Sequence, residues 1–140
     1  MIKITELNLE SEEHIIFLYE LLKNKKYSIS HKKLPSFAQH YKFVKNNPYR
    51  KWYLILKSNK YIGSVYISNQ NTLGINFLIP TKELYELTLK KVLSILSPLP
   101  EIKSIRSKNF LINCSPTNKI LIEAIKKLGF DKIQSTYELK

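Results

Sequence analysis

The sequence predicts one mixed α/β domain, with a central, mostly antiparallel sheet of about six to seven strands flanked by about four helices. Three observations carry that expectation. Residues 52–79 hold three β-rich stretches separated only by short polar turns, as in an antiparallel meander. On either side, apolar residues recur at helical spacing between recognisable caps. The chain has 140 residues, 44% of them hydrophobic, with no internal repeat and no dividing linker, so residues 1–140 make a single domain with its own core.

Taken in order, Ile2, Ile4 and Leu7 suggest a first strand. Ser11 then reads as an N-cap, with Glu12 and Glu13 suited to the positive end of a helix. Ile15, Leu18, Tyr19 and Leu22 follow at helical spacing, and Lys23 to Lys26 close that helix. Residues 25–35 read as a polar loop. Pro35-Ser36 opens a second helix with Phe37, Tyr41 and Val44 on one face, ended by Asn46-Asn47-Pro48.

Trp52 to Leu56 and Tyr61 to Ile67 are strands joined by a Ser58-Asn59-Lys60 turn. Asn69-Gln70-Asn71 turns the chain into a further strand, Leu73 to Ile79. Thr81 opens a third helix with Tyr85, Leu89, Val92, Leu93 and Leu96 on one stripe, and Ser97-Pro98-Leu99-Pro100 ends it. Phe110 to Cys114 is a buried strand, and Thr117 or Asn118 caps a last helix bearing Leu121, Ala124, Ile125 and Leu128. Gly129 occupies the place of a left-handed helix terminator, and Ile133 to Leu139 is a closing strand.

Composition narrows the function classes. The formal charge is +12, but only Arg50 and Arg106 of the 23 basic residues carry the guanidinium fork that suits base and phosphate recognition. With 18 Ile and 11 Asn beside the lysines, a compositional bias explains the charge better than a nucleic-acid footprint, so nucleic acid is not the expected partner. No apolar run is long enough to span a membrane, and Met1 to Glu6 has no leader-like apolar stretch. One cysteine, Cys114, supplies neither a disulfide nor a structural zinc site, and a reducing cytoplasm is the expected setting. His14, His31 and His40 are too scattered for a metal motif.

Three stretches in this β-α-α-β-β-β-α-β-α-β order resemble the GNAT superfamily of acyl-CoA N-acyltransferases. Asn113-Cys114-Ser115-Pro116-Thr117-Asn118, a helix and Leu128-Gly129-Phe130 resemble the family's fifth strand, Asn-headed helix and "LGF" corner. Tyr61-Ile62-Gly63-Ser64-Val65 resembles its third strand. The tail from Gln134 to Leu139 is similar to the last strand of bacterial members associated with surface amino sugars. The resemblance implies an acyl-CoA N-acyltransferase-like fold, acetyl-CoA as acyl donor, and a small-molecule primary amine, an amino sugar by the tail's hint, as acceptor. A monomer or a homodimer is expected.

The same resemblance implies site residues. The fourth and fifth strands splay apart so that the pantetheine arm pairs with exposed backbone, which nominates Phe77, Leu78 and Ile79, with Asn113 across the gap. Thr81 and Lys82 lie where the pyrophosphate binds a helix N-terminus, and Asn118 is either an ordinary N-cap or a pantetheine contact. Asn76 in the fourth strand either fills a bulge or would orient a water, and Tyr137 on the last strand, or Tyr85 on the third helix, is the candidate proton donor. His31 and His40 flank the acceptor cleft, His40 reading as a partly buried histidine or a substrate-side base.

Two departures stand against a standard enzyme. Pro80 to Thr88 has no glycine, and it carries Glu83 and Glu86 where phosphates belong. Ile125 occupies the position of the family's proton-donating tyrosine. The rival reading is an inactive acetyltransferase-like ligand-binding or interaction module; a lysine-rich nucleic-acid binder is the third.

Overall fold

A computed structural model describes residues 1–25 and 33–140, so the loop histidine His31 lies outside the described residues. The elements in chain order are β1 (Ile2–Glu6), α1 (Glu12–Lys23), α2 (Phe37–Lys45), β2 (Lys51–Lys57), β3 (Lys60–Ile67), β4 (Thr72–Phe77), α3 (Lys82–Ile95), β5 (Leu111–Ile112) and α4 (Lys119–Lys127). One five-stranded sheet has the order β1-β2-β3-β4-β5, antiparallel throughout except for the parallel β4–β5 pair.

Local chemistry accounts for most boundaries. The side chains of Ser11, Ser36, Thr81 and Asn118 each accept a backbone N–H in the first turn of their helix, and Ser36 completes a capping box with Gln39. Ser58 and Asn59 both take positive φ, the two-residue turn whose twist matches a β-hairpin. Gly129, at φ +97°, ends α4.

The two sheet faces are covered differently. Tyr53, Ile55, Val65, Ile67, Leu73, Ile75 and Phe77 form the main core with α3 and α4. Leu54 packs on the opposite face with Ile15 and Leu18 of α1 and Val44 of α2. Along residues 52–55, 64–67 and 72–77, alternation thus sends odd-numbered residues into the main core and even-numbered ones toward α1 and α2. The register shift at Ile55/Leu56 reverses the phase at the hairpin, where Ile62 joins the main core and Tyr61 the α1 side.

Three expectations are corrected. The sheet has five strands, because residues 131–140 form no strand and lie exposed; β5, only two residues long, offers little backbone to pair with. Tyr137 is therefore not on a strand but 92% exposed in an irregular tail. On α2 the inward residues are His40 and Val44, four apart, while Phe37 and Tyr41 face out.

Candidate active site

Two features meet at β4. The first is its free edge. The Ser68 N–H donates to the Thr72 carbonyl and the Leu78 N–H to the Ile62 carbonyl, both at 2.9 Å, so the even-numbered residues of β4 bond to β3. The backbone groups of Leu73, Ile75 and Phe77 point the other way, toward β5. Pairing with β5 covers only Thr72↔Leu111 and Leu73↔Ile112. Beyond Leu73 the pairing with β5 stops, and among the described residues no strand pairs with the edge at Ile75 and Phe77.

The second is a cleft of about 200 Å³ on the opposite face of the sheet from α3 and α4. Its floor is Trp52 of β2, Ser64 and Tyr66 of β3, and Asn76 of β4; Lys25, His40, Phe43 and Tyr49 close its sides. Asn76 stands opposite Ser64 in a regular register, so no bulge explains this polar residue. Its side chain faces the cleft while its neighbours Ile75 and Phe77 present backbone to the opening beside β5.

The cleft is aromatic and contains unsatisfied polar atoms. Tyr49 stacks on Tyr66 with ring centroids 4.0 Å apart at 14°, and Trp52 stands edge-on to Tyr49 at 5.0 Å. Burial pushes both tyrosine hydroxyls up, Tyr49 to about 12. His40 is 6% exposed, and among the described residues its Nε2, like the Trp52 Nε1, has no hydrogen-bond partner. Burial lowers the His40 pKa, opposed by a hydrogen bond to the Ile15 backbone. His40 thus lines the cleft with one ring nitrogen left without a partner among the described residues.

The remaining nominated residues divide. Phe77 presents a backbone edge to the opening, and its ring packs in the core against Tyr85. The Leu78 N–H is committed to β3, and Ile79 is 79% exposed. The Thr81 hydroxyl caps α3 by accepting from the Leu84 N–H at 3.1 Å, and Lys82 is exposed in the first turn. Asn113 is exposed just past β5; Asn118 is buried, with Oδ1 accepting from the Leu121 N–H at 3.3 Å. Glu86, expected to face phosphates, turns onto α4, where Lys127 Nζ lies 3.4 Å away.

Other groups are structural. His14 Nδ1 accepts from the Asn8 N–H, and Nε2–H reaches the Tyr61 hydroxyl at 3.1 Å, so both ring nitrogens are engaged. Burial pushes the Cys114 thiol up, away from reactive thiolate. Among the described residues no cluster of His, Cys, Asp or Glu could hold a metal, and no helix is long and apolar enough to cross a membrane. Sequence reasoning missed Lys25, Tyr49, Trp52, Ser64 and Tyr66. The usable signal was alternation: Trp52, Ser64, Tyr66 and Asn76 fall on the same face of three adjacent strands.

Neither a family model nor a curated protein matches the sequence. Solved structures do match its shape. A domain from Methanocaldococcus jannaschii superposes with a TM-score of 0.69 at 18% identity, over 99% of this chain and 93% of that one. A possible acetyltransferase from Clostridium difficile gives 0.63 at 14% identity, over 100% and 97%. The N-acetyltransferase PseH of Campylobacter jejuni gives 0.62 at 14% identity, over 96% and 91%. The mixed α/β architecture with its five-stranded, mostly antiparallel sheet is thus shared with solved structures that include acetyltransferases.

Proposed function

We propose that the chain is an N-acetyltransferase that moves the acetyl group of acetyl-CoA onto a primary amine of a small molecule. One observation carries this reading: a single stretch of β4 serves both the unpaired strand edge and the polar cleft. Ile75 and Phe77 offer unpaired N–H and C=O groups on the β5 side, which suit the amides of a pantetheine arm. Asn76, between them, faces the cleft from which an amine would approach.

In this reading the amine nitrogen attacks the thioester carbonyl, and a backbone N–H of the β4 edge stabilises the developing oxyanion. The C–N bond forms, the C–S bond breaks, and CoA leaves as its thiolate. His40 Nε2, neutral near pH 7 because burial holds its pKa down, accepts the amine proton, with Asn76 orienting the amine or an intervening water. The described structure does not bring Tyr137 to this place, and Ile125 packs into the main core. No proton donor to the thiolate is assigned. A thiolate with a pKa of about 8.5 leaves without much help.

The glycine-free start of α3 favours the second reading, an inactive binding module. Calorimetry with acetyl-CoA, followed by an assay of released CoA thiol with a panel of amines, separates the two. Binding with thiol release supports the enzyme, and binding without release to any amine supports the module.

A further inference from the structure

The net positive charge of this chain falls, in sequence, within the stretch that builds most of the cleft, although Glu20, Glu10 and Glu6 from outside it pair with Lys23, Lys45 and Lys51. Residues 21–82 contain no Asp or Glu and hold 12 of the 23 basic residues, so the whole formal excess of +12 falls there and the rest of the chain balances. That stretch supplies the end of α1, all of α2 and strands β2 to β4. Every cleft-lining residue except Leu18 belongs to it. Residues 26–32 are also free of acids in sequence.

Inside the cleft the same asymmetry holds. No lining residue is acidic, and Lys25 lines it with no carboxylate partner among the described residues. Burial pushes the Lys25 ammonium below its usual range, as expected of a cation lacking an anion. The stacked Tyr49–Tyr66 pair offers flat apolar surface, and Trp52 Nε1 is a buried donor awaiting an acceptor.

We infer that the acceptor is a primary amine carried on an anionic small molecule with a flat or apolar body, and not a polycationic amine. The inference rests on the acetyl-transfer reading above. A polyamine would bring several charges into a positive, partly dehydrated cleft with no carboxylate to meet them, at the cost of like-charge repulsion and desolvation. An anion is drawn in by the same field, and its charge can settle beside Lys25. The positive surroundings also lower the pKa of the acceptor's ammonium and favour the neutral, nucleophilic amine.

The test uses matched pairs differing in one anionic group. Glucosamine 6-phosphate is compared with glucosamine, and 4-(aminomethyl)benzoate with benzylamine, with spermidine as the polycation. Affinities are measured by calorimetry on the protein loaded with CoA, and turnover separately by thiol release. The anionic member of at least one pair should bind about tenfold more tightly than its neutral partner, with spermidine weakest. The responding pair tells phosphate from carboxylate. Lys25→Gln, or raising ionic strength from roughly 0.05 to 0.5 M, should shrink that ratio several-fold. Equal affinities within both pairs, or tighter binding of spermidine, would overturn the inference. Selective binding of the anionic amines without any thiol release keeps the inference about charge and sinks the transferase reading instead.

Discussion

The ring of Tyr66 on β3 lies directly over Gly74 on β4, so closely that a Cβ at Gly74 would overlap the ring and stand 2.5 Å from its hydroxyl oxygen. The missing side chain lets the tyrosine lie flat on the strand and stack against Tyr49 in the cleft floor. A second glycine, Gly63, is tight for another reason: a Cβ there meets the Asn76 backbone carbonyl and comes within 2.6 Å of the Phe77 ring.

The two glycines should therefore respond differently to alanine. Gly74→Ala displaces the far end of a side chain that can swing aside, so acceptor binding falls sharply while stability drops by about 1 kcal/mol. Gly63→Ala pushes strand backbone apart and should cost about 2–3 kcal/mol in denaturant unfolding. If Gly74→Ala leaves acceptor affinity intact, the Tyr49–Tyr66 floor is not part of the site.

His40 makes a pH prediction with a defined sign. Its folded pKa lies below the usual 6.5 because burial disfavours the imidazolium. Above about pH 6.5 the ring is neutral whether the chain is folded or not. As pH falls below that value the unfolded chain takes up the proton first, so stability declines until the pH passes through the lowered folded pKa. His40→Gln should flatten this slope in unfolding free energy measured across pH 5–7.5, about the unfolded His value. As the base, the same residue places the acidic limb of the rate profile below 6.5, and His40→Gln should lower kcat by about 10²–10⁴-fold.

Why these residues escaped the sequence is physical. Ser11, Ser36, Thr81 and Asn118 announce their helices because capping is a local transaction between a side chain and the next turn. Likewise the meander is legible because turn and alternation lie within a few residues. The cleft is not local. His40 is nominated by the sequence, but the inward face of α2 is not legible in it, since a nine-residue helix with three aromatic residues offers two plausible inward faces. Tyr49 and Tyr66 meet from loop and strand, and Gly74 has meaning only beneath Tyr66. The two arginines, Arg50 and Arg106, are structural: they donate to the backbone carbonyls of Ser97, Pro100 and Asn69.

Asn71 shows the same limit and supplies a third prediction. In sequence it is part of a polar turn, but it is fully buried at φ 65°. Its Nδ2 donates to the Leu99 and Ser107 carbonyls at 2.9 and 2.8 Å, and Oδ1 accepts from the Leu99 N–H at 2.8 Å. Its own carbonyl accepts from the Leu111 N–H, which starts the β4–β5 pairing. Asn71→Ala removes three side-chain bonds and orphans buried backbone groups, so it should cost about 2–4 kcal/mol. Acetyl-CoA affinity should fall with it, because the register of the β4–β5 pair depends on this residue. Loss of stability with unchanged acetyl-CoA affinity would place the donor site elsewhere.

The two acids at the start of α3 allow the donor site to be located by charge alone. Glu86 is turned onto α4 with only 13% of its side chain exposed, and Lys127 offsets its charge at 3.4 Å. Glu83 is exposed in the first turn with no ion-pair partner among the described residues, where the helix dipole favours a negative charge by about 0.3–1 kcal/mol. If the pyrophosphate of acetyl-CoA binds the N-terminus of α3, Glu83 opposes it and Glu86 does not. Glu83→Gln should then tighten acetyl-CoA binding by about two- to fivefold at low salt, and the gain should fade as salt screens the exposed charge. Glu86→Gln should leave affinity within error and change stability by less than about 1 kcal/mol. Calorimetric titrations of both variants at two ionic strengths suffice. Weaker binding by Glu83→Gln, or an equal gain from the two variants, would move the phosphate site away from this helix and leave the β4 edge as the sole anchor of the donor.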